Sequence, residues 1–150
     1  MRLSTRGQYG LRAMCVLGIK YGEGNIPLRL IADQENISLQ YLEQIFRQLR
    51  RAGLVESARG AKGGYHLARD PVDITVGDVV RTLEGPIAPV ECLSGGEECS
   101  RQDECLTREA WYRLQQSMKE ALDGITLGYL CRGKPADQRR DKEKKHESRR

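Results

Sequence analysis

Residues 38–68, SLQYLEQIFRQLRRAGLVESARGAKGGYHLA, decide the fold. Ser38 stands before Leu39, Leu42, Ile45/Phe46 and Leu49, whose spacing predicts an amphipathic helix with Ser38 as its N-cap. Ile37 and Leu42 suit a hydrophobic staple at its entry, and Gly53 is the expected stop. Two strand-like runs follow, 54–58 and 65–68, joined by RGAKGG at 59–64. The three glycines permit the positive φ angles of a tight hairpin tip. The order is that of a winged helix: a helix with a polar outer face, then a basic hairpin.

The flanking sequence supplies the rest of that fold. Residues 5–21 read as a helix with Leu11, Met14, Cys15, Gly18 and Ile19 on one face, ended by Gly22 and Gly24. Ile26-Pro27-Leu28 reads as an extended or turn segment, and Pro27 opens the helix LRLIADQEN with Leu28, Ile31 and Ala32 inward. Thr75 is placed to cap a short helix, Val76–Leu83, closed by Gly85-Pro86. Residues 86–106 read as irregular. Thr107 then caps a long helix to about Asp123, striped by Trp111, Leu114, Met118, Ala121 and Leu122. Nothing obvious in residues 1–106 covers that stripe, so the same helix of a second copy is its expected cover.

The expected fold is therefore mainly α with a small β-hairpin, a winged helix-turn-helix plus a long dimerisation helix. The expected divisions are a winged-helix domain at 1–84, a cysteine loop at 85–106, the dimerisation helix and following segment at 107–131, and a basic tail at 132–150. The tail lacks hydrophobic anchors and is expected to be disordered.

The net charge of +4 hides an asymmetry. Residues 1–69 hold 11 Lys/Arg against 5 Asp/Glu, residues 70–131 hold 5 against 12, and residues 132–150 hold 9 against 4. A basic first half fits a polyanionic partner, whereas the acidic middle would face away from phosphate. No apolar run reaches a membrane span, and Arg2, Arg6 and Arg12 interrupt any signal peptide, so a cytoplasmic protein with no membrane partner is expected.

A winged helix lays its second helix in the major groove of double-stranded DNA. Ser38, Gln40, Tyr41, Glu43 and Gln44 supply donors and acceptors for base edges there. Arg47, Arg50 and Arg51 are suited to phosphates. Arg59, Gly60 and Lys62 form a slim basic tip that fits a minor groove. Glu43 repels phosphate but accepts from cytosine, so it suits discrimination between sites. Tyr9 reads either as a phosphate contact or as a half-buried packing residue.

Five cysteines, an odd count, point to metal or redox use rather than a disulfide framework. Three of them, Cys92, Cys99 and Cys105, lie in ECLSGGEECSRQDECL with spacing C-x6-C-x5-C. That loop is too polar for a core, and Gly95 and Gly96 let backbone wrap an ion. Thiolates suit an iron–sulfur cluster or structural zinc, and unpaired surface thiols or a thiol-redox switch are the alternatives. A metal or cluster carrier without a DNA role is a further class. An enzyme using Cys99 or Cys105 as nucleophile lacks a nearby histidine or resolving C-x-x-C. Cys15 reads as core. Cys131 follows the apolar run GITLGYLC and has no thiol near it in sequence. His66 reads as structural or phosphate-facing, and His146 lies in the tail.

MRLSTRGQYGLRAM at the start, the 38–69 segment and the three-cysteine loop together resemble the IscR-type iron–sulfur cluster regulators, whose wider family includes nitric-oxide sensors and cysteine-metabolism repressors. The match covers about residues 1–130. The resemblance implies a homodimeric winged-helix transcription factor that binds operator DNA and responds to cluster supply. It implies a cluster on Cys92, Cys99 and Cys105, usually [2Fe–2S], control of cluster-biogenesis genes, and cluster-assembly scaffold proteins as possible partners. By position it gives base reading or discrimination to Ser38, Tyr41, Glu43 and Gln44, and minor-groove entry to Arg59. The pattern has a histidine three residues after the last cysteine, where this chain has Arg108. That leaves the fourth ligand open among Glu98, Asp103, Glu104, Glu109 and a residue near Gln8 of a second subunit.

Overall fold

The computed structural model describes residues 2–96 and 98–132. Helices α1 (Thr5–Ile19), α2 (Leu28–Glu35) and α3 (Leu39–Arg51) lead to strands β1 (Val55–Ala58) and β2 (Gly64–Leu67). After a 3-10 turn at Pro71–Asp73 come α4 (Val76–Glu84), a second 3-10 turn at Glu91–Leu93, α5 (Arg108–Asp123) and α6 (Leu127–Arg132). This is the expected helix-rich fold with one hairpin. The expected tail at 132–150, with His146, lies outside the described residues except for Arg132.

Local chemistry sets the element ends. Ser38 stands extended and its Oγ accepts the N–H of Tyr41, starting α3. Asn36 takes a left-handed conformation, φ 53°, which stops α2 and leaves room for that cap. Thr75 and Asp78 form a reciprocal capping box at α4. The hairpin is antiparallel, with register running from Val55 opposite Leu67 to Ala58 opposite Gly64. Ile26 bridges Tyr65 through two backbone hydrogen bonds of 2.8 and 2.9 Å, so the segment before α2 pairs with the returning strand.

One core joins α1, α2, α3, the hairpin, α4 and α6. Met14, Ile31, Leu42, Ile45, Leu49, Ile74 and Leu127 are buried in it, and Phe46 meets Tyr65 edge-on at 4.9 Å. The buried face of α1 differs from the expected stripe. It runs through Gly7, Gly10, Ala13, Met14, Val16 and Leu17, while Ile19 is 68% exposed and Leu11, Cys15 and Gly18 are partly covered. The cause is close approach of α4: a Cβ on Gly10 would lie 2.1 Å from Leu83.

Two further readings are corrected. Thr107 precedes α5 but makes no side-chain cap; its hydroxyl lies 3.4 Å from the Cys105 thiol. The α5 stripe is partly covered within the chain, since Met118 and Leu122 pack on Val76, Val80 and Ile87 of the α4 region. Trp111, Tyr112 and Ala121 remain exposed. The segment after α5 is a helix that returns to the core. The N–H of Val76 donates to Ile125 O and that of Leu127 to Ile74 O, both at 2.8 Å. Arg81 donates twice to Asp123, at 2.8 and 2.5 Å, joining α4 to the end of α5. This holds the Asp123 carboxyl below the usual carboxylate range.

Candidate nucleic-acid interface and cysteine loop

The buried edge of α3 is Leu42, Ile45, Phe46 and Leu49, and this fixes what the helix shows outward. Gln40, Glu43, Gln44, Arg47, Arg50 and Arg51 are exposed on it, with Ser38 exposed at its start. Tyr41 is half-buried. Its ring meets Tyr9 edge-on at 6.0 Å, and its hydroxyl lies 3.1 Å from Thr5 Oγ1. Tyr9 is likewise half-buried against the core, with the Arg12 guanidinium 5.6 Å from its ring centre. Arg12 also pairs with Glu35 of α2 at 2.9 Å. The two tyrosines therefore form the seam between α1 and α3.

The wing tip holds Arg59, Gly60, Ala61 and Lys62, all exposed, with Gly60 at φ +102°. One residue that the sequence does not single out, Asn25, braces it. Asn25 Nδ2 donates to Lys62 O at 3.2 Å, and Asn25 Oδ1 lies 2.7 Å from His66 Nδ1. The other ring nitrogen of His66 lies 3.0 Å from Glu56 on β1. His66 is thus held between Asn25 and Glu56, with its side chain still 41% exposed. Asn25 belongs to the GEGN turn, whose composition signals a turn but not this partner.

Behind α3, Glu84 holds the N-terminus of α1. Its Oε1 accepts from the Ser4 N–H at 2.9 Å, the Gly7 N–H at 3.2 Å and the Ser4 hydroxyl. Glu84 ends α4 and is followed at once by Gly85-Pro86 and the cysteine loop.

None of the five cysteines is in a disulfide. Cys92 is exposed and Cys99 half-covered, and both line an open cleft of about 580 Å³ with Glu91, Ser94, Gly96 and Glu98. Cys105 is exposed and does not line that cleft. The Thr107 hydroxyl, then the backbone N–H groups of Thr107 and Arg108, favour its thiolate and lower its pKa. Gln115 of α5, only 5% exposed, anchors the loop's first half by donating to Ile87 O at 3.0 Å and Leu93 O at 2.7 Å. Glu98 is the one sequence-level candidate for fourth ligand that lines the cleft, and Glu109 pairs instead with Arg113 at 2.9 Å. Among the described residues no three His, Cys, Asp or Glu side chains converge on a metal-sized site. The thiol donors suit a cluster in kind, and the loop would have to close to bring all three together.

Among the described residues no helix is long and apolar enough to cross a membrane. The Rrf2 family model, described as iron-dependent transcriptional regulators, matches residues 3–133. The HTH-type transcriptional regulator CymR of Bacillus subtilis is 49% identical over 131 residues, covering 87% of this chain and 90% of that protein. The HTH-type transcriptional regulator IscR of Aliivibrio salmonicida is 41% identical over 130 residues, covering 87% of this chain and 77% of that protein. The solved structure of CymR, the global cysteine regulator of B. subtilis, superposes with a TM-score of 0.76 at 46% identity, over 90% of this chain and 99% of that one. These relatives are regulators of transcription rather than enzymes. With its helix-turn-helix, wing and exposed basic face, the chain belongs to the Rrf2 family of DNA-binding transcriptional regulators.

Proposed function

We propose that this regulator senses iron–sulfur cluster supply through a cluster held by Cys92, Cys99 and Cys105, and acts on operator DNA as a homodimer. The observation that carries the reading is the state of these three cysteines. They lie outside the core, unbonded, in a polar loop that Gln115 anchors to α5 and Gly85-Pro86 joins to α4. The family's description as iron-dependent agrees with it. When bound, a cluster of the [2Fe–2S] kind supplies a redox-active centre whose gain or loss is the signal.

The chain's own residues do the rest. In each protomer α3 presents Gln40, Glu43 and Gln44 to the major groove, with Ser38 and Tyr41 at its entry. Arg50, with Arg47 and Arg51, meets phosphate, and the wing carries Arg59, Gly60 and Lys62 toward the minor groove. Tyr9 supports Tyr41 from behind. The exposed Trp111–Tyr112 edge of α5 supports dimerisation along that helix. Closing the loop would pull on Gly85, and so on Glu84 and the start of α1, where Thr5 meets Tyr41 of α3. This route would tie loop closure to the pose of α3.

A second reading, a thiol-responsive regulator without a cluster, is favoured by the higher identity to the cysteine regulator than to IscR. Anaerobic reconstitution with iron and sulfide separates the two, read by visible absorption, circular dichroism and iron and sulfide analysis, with operator titration alongside. We expect structured visible bands and equal iron and sulfide. Cys92→Ala should lose them and change operator preference while keeping the wild-type melting curve. A protein that stays colourless and iron-free after reconstitution, with operator binding that follows thiol oxidation, would give the place to the second reading.

A further inference from the structure

Two cysteines outside the loop, 116 positions apart, meet where α6 crosses α1. Cys131 Sγ donates to Cys15 O at 3.5 Å, so the two cysteines are neighbours across the crossing. The crossing is shaped around this sulfur. A Cβ on Gly18 would sit 2.7 Å from Cys131 Sγ, so α1 has a glycine where the thiol nests. Cys131 also lines a cleft of about 300 Å³ with Gly18, Asp70, Val72, Gly128 and Arg132, which gives a small solute access from the α6 side. Cys15 lies deeper, against the core.

We propose that Cys15 and Cys131 form a second thiol site, independent of the loop, which a peroxide oxidises to a disulfide tying α6 to α1. The Cys131 thiolate attacks the peroxide O–O bond, giving a sulfenic acid and hydroxide; with hydrogen peroxide the hydroxide takes up a proton and leaves as water. The Cys15 thiol then attacks the Cys131 sulfur. The S–O bond breaks, the S–S bond forms, and the Cys15 proton leaves with the hydroxyl as a second water. Two thiols and one hydrogen peroxide give one disulfide and two waters.

The surroundings set the order and the pace. Burial, then the neighbouring Cys131 and Glu35 of α2, push the Cys15 thiol up to about 11. Burial also raises Cys131, and its hydrogen bond with Cys15 works the other way. Glu35 is paired with Arg12, and Asp70 and Arg132 face the cleft. Both thiols are protonated near neutrality, so the reduced pair resists casual oxidation and reacts faster as pH rises. The sign is that of thiolate population, about tenfold per pH unit below the thiol pKa.

The test uses the full chain in its apo form, treated with hydrogen peroxide at pH 7 and pH 9, blocked with iodoacetamide and digested with trypsin without reductant. The expected product is peptide 13–20 linked to peptide 120–132 within a single chain, which still runs as a monomer on a denaturing, non-reducing gel. It should form many-fold faster at the higher pH and be reversed by dithiothreitol. In Cys15→Ser the link disappears and dimedone traps a sulfenic acid on Cys131. Disulfides confined to Cys92, Cys99 and Cys105, a covalent dimer through Cys131, or independent alkylation of Cys15 and Cys131 after oxidation would each overturn the proposal. The link in the wild-type chain decides even if Cys15→Ser fails to fold. Because it needs no iron, it stands or falls apart from the cluster reading.

Discussion

Gly64 is the residue on which the wing's placement turns. Its φ of +142° is one that side chains rarely adopt, and a Cβ there would lie 2.4 Å from the carbonyl carbon and oxygen of Ile26. The two backbone bonds between Ile26 and Tyr65 draw the strands that close. Gly64→Ala should therefore lower stability by about 2–4 kcal/mol, from backbone strain and a lost bridge. Urea unfolding checks this, and a loss within experimental error would mean that the strand shifts at little cost. Arg59 and Lys62 ride on the same hairpin, so the variant should also bind operator more weakly. The glycines of 59–64 were legible as a hairpin tip, but the demand at Gly64 was not. It comes from Ile26, nearly forty residues earlier, and no local pattern reports a backbone passing overhead.

Elements with local punctuation were readable, and those defined by distant partners were not. α3 has a cap at Ser38, an apolar edge at 3.6 spacing and a glycine after its last turn, and these gave its span, its buried side and its outward polar residues. The Thr75 cap works the same way for α4. α6 has only six residues and is held by Ile74 and Val76, so its apolar run carries no shape in the sequence alone. Thr107 looked like a cap because threonine before a helix usually is one, yet its hydroxyl has a thiol within reach. In the cysteine loop the three thiols were legible from composition, but their anchor was not. Gln115 sits among the polar residues of α5 and acts on carbonyls 28 and 22 residues away. Gln115→Ala should leave those two carbonyls without their donor. Amide hydrogen exchange across residues 87–94 should then rise well above wild type while α1–α3 stay protected. Unchanged protection there would assign the loop's order to Ile87 and Leu93 packing instead.

At the scale of the molecule, charge is separated along the chain, with a basic first half and an acidic middle. The arginines of α3 and the wing tip are exposed, as are Glu91, Glu98, Asp103 and Glu104 of the cysteine loop. For a dimer engaging about 6–10 phosphates, operator affinity should fall roughly 10³–10⁵-fold between 50 and 200 mM salt. Lys62→Ala should flatten the logarithmic slope by about 2 units per dimer, one wing from each protomer. Titration by fluorescence anisotropy over that salt range measures both, and an unchanged slope would take the wing off the phosphates.

The chain contains a single tryptophan, Trp111, which stands 40% exposed on the open side of α5. Its indole is therefore a native optical marker on one face of one helix. Light absorbed by that ring is emitted at a wavelength set by how much water touches it. Whatever covers the outer edge of α5 is thus recorded in the protein's own emission colour, with no label attached and no background from a second indole.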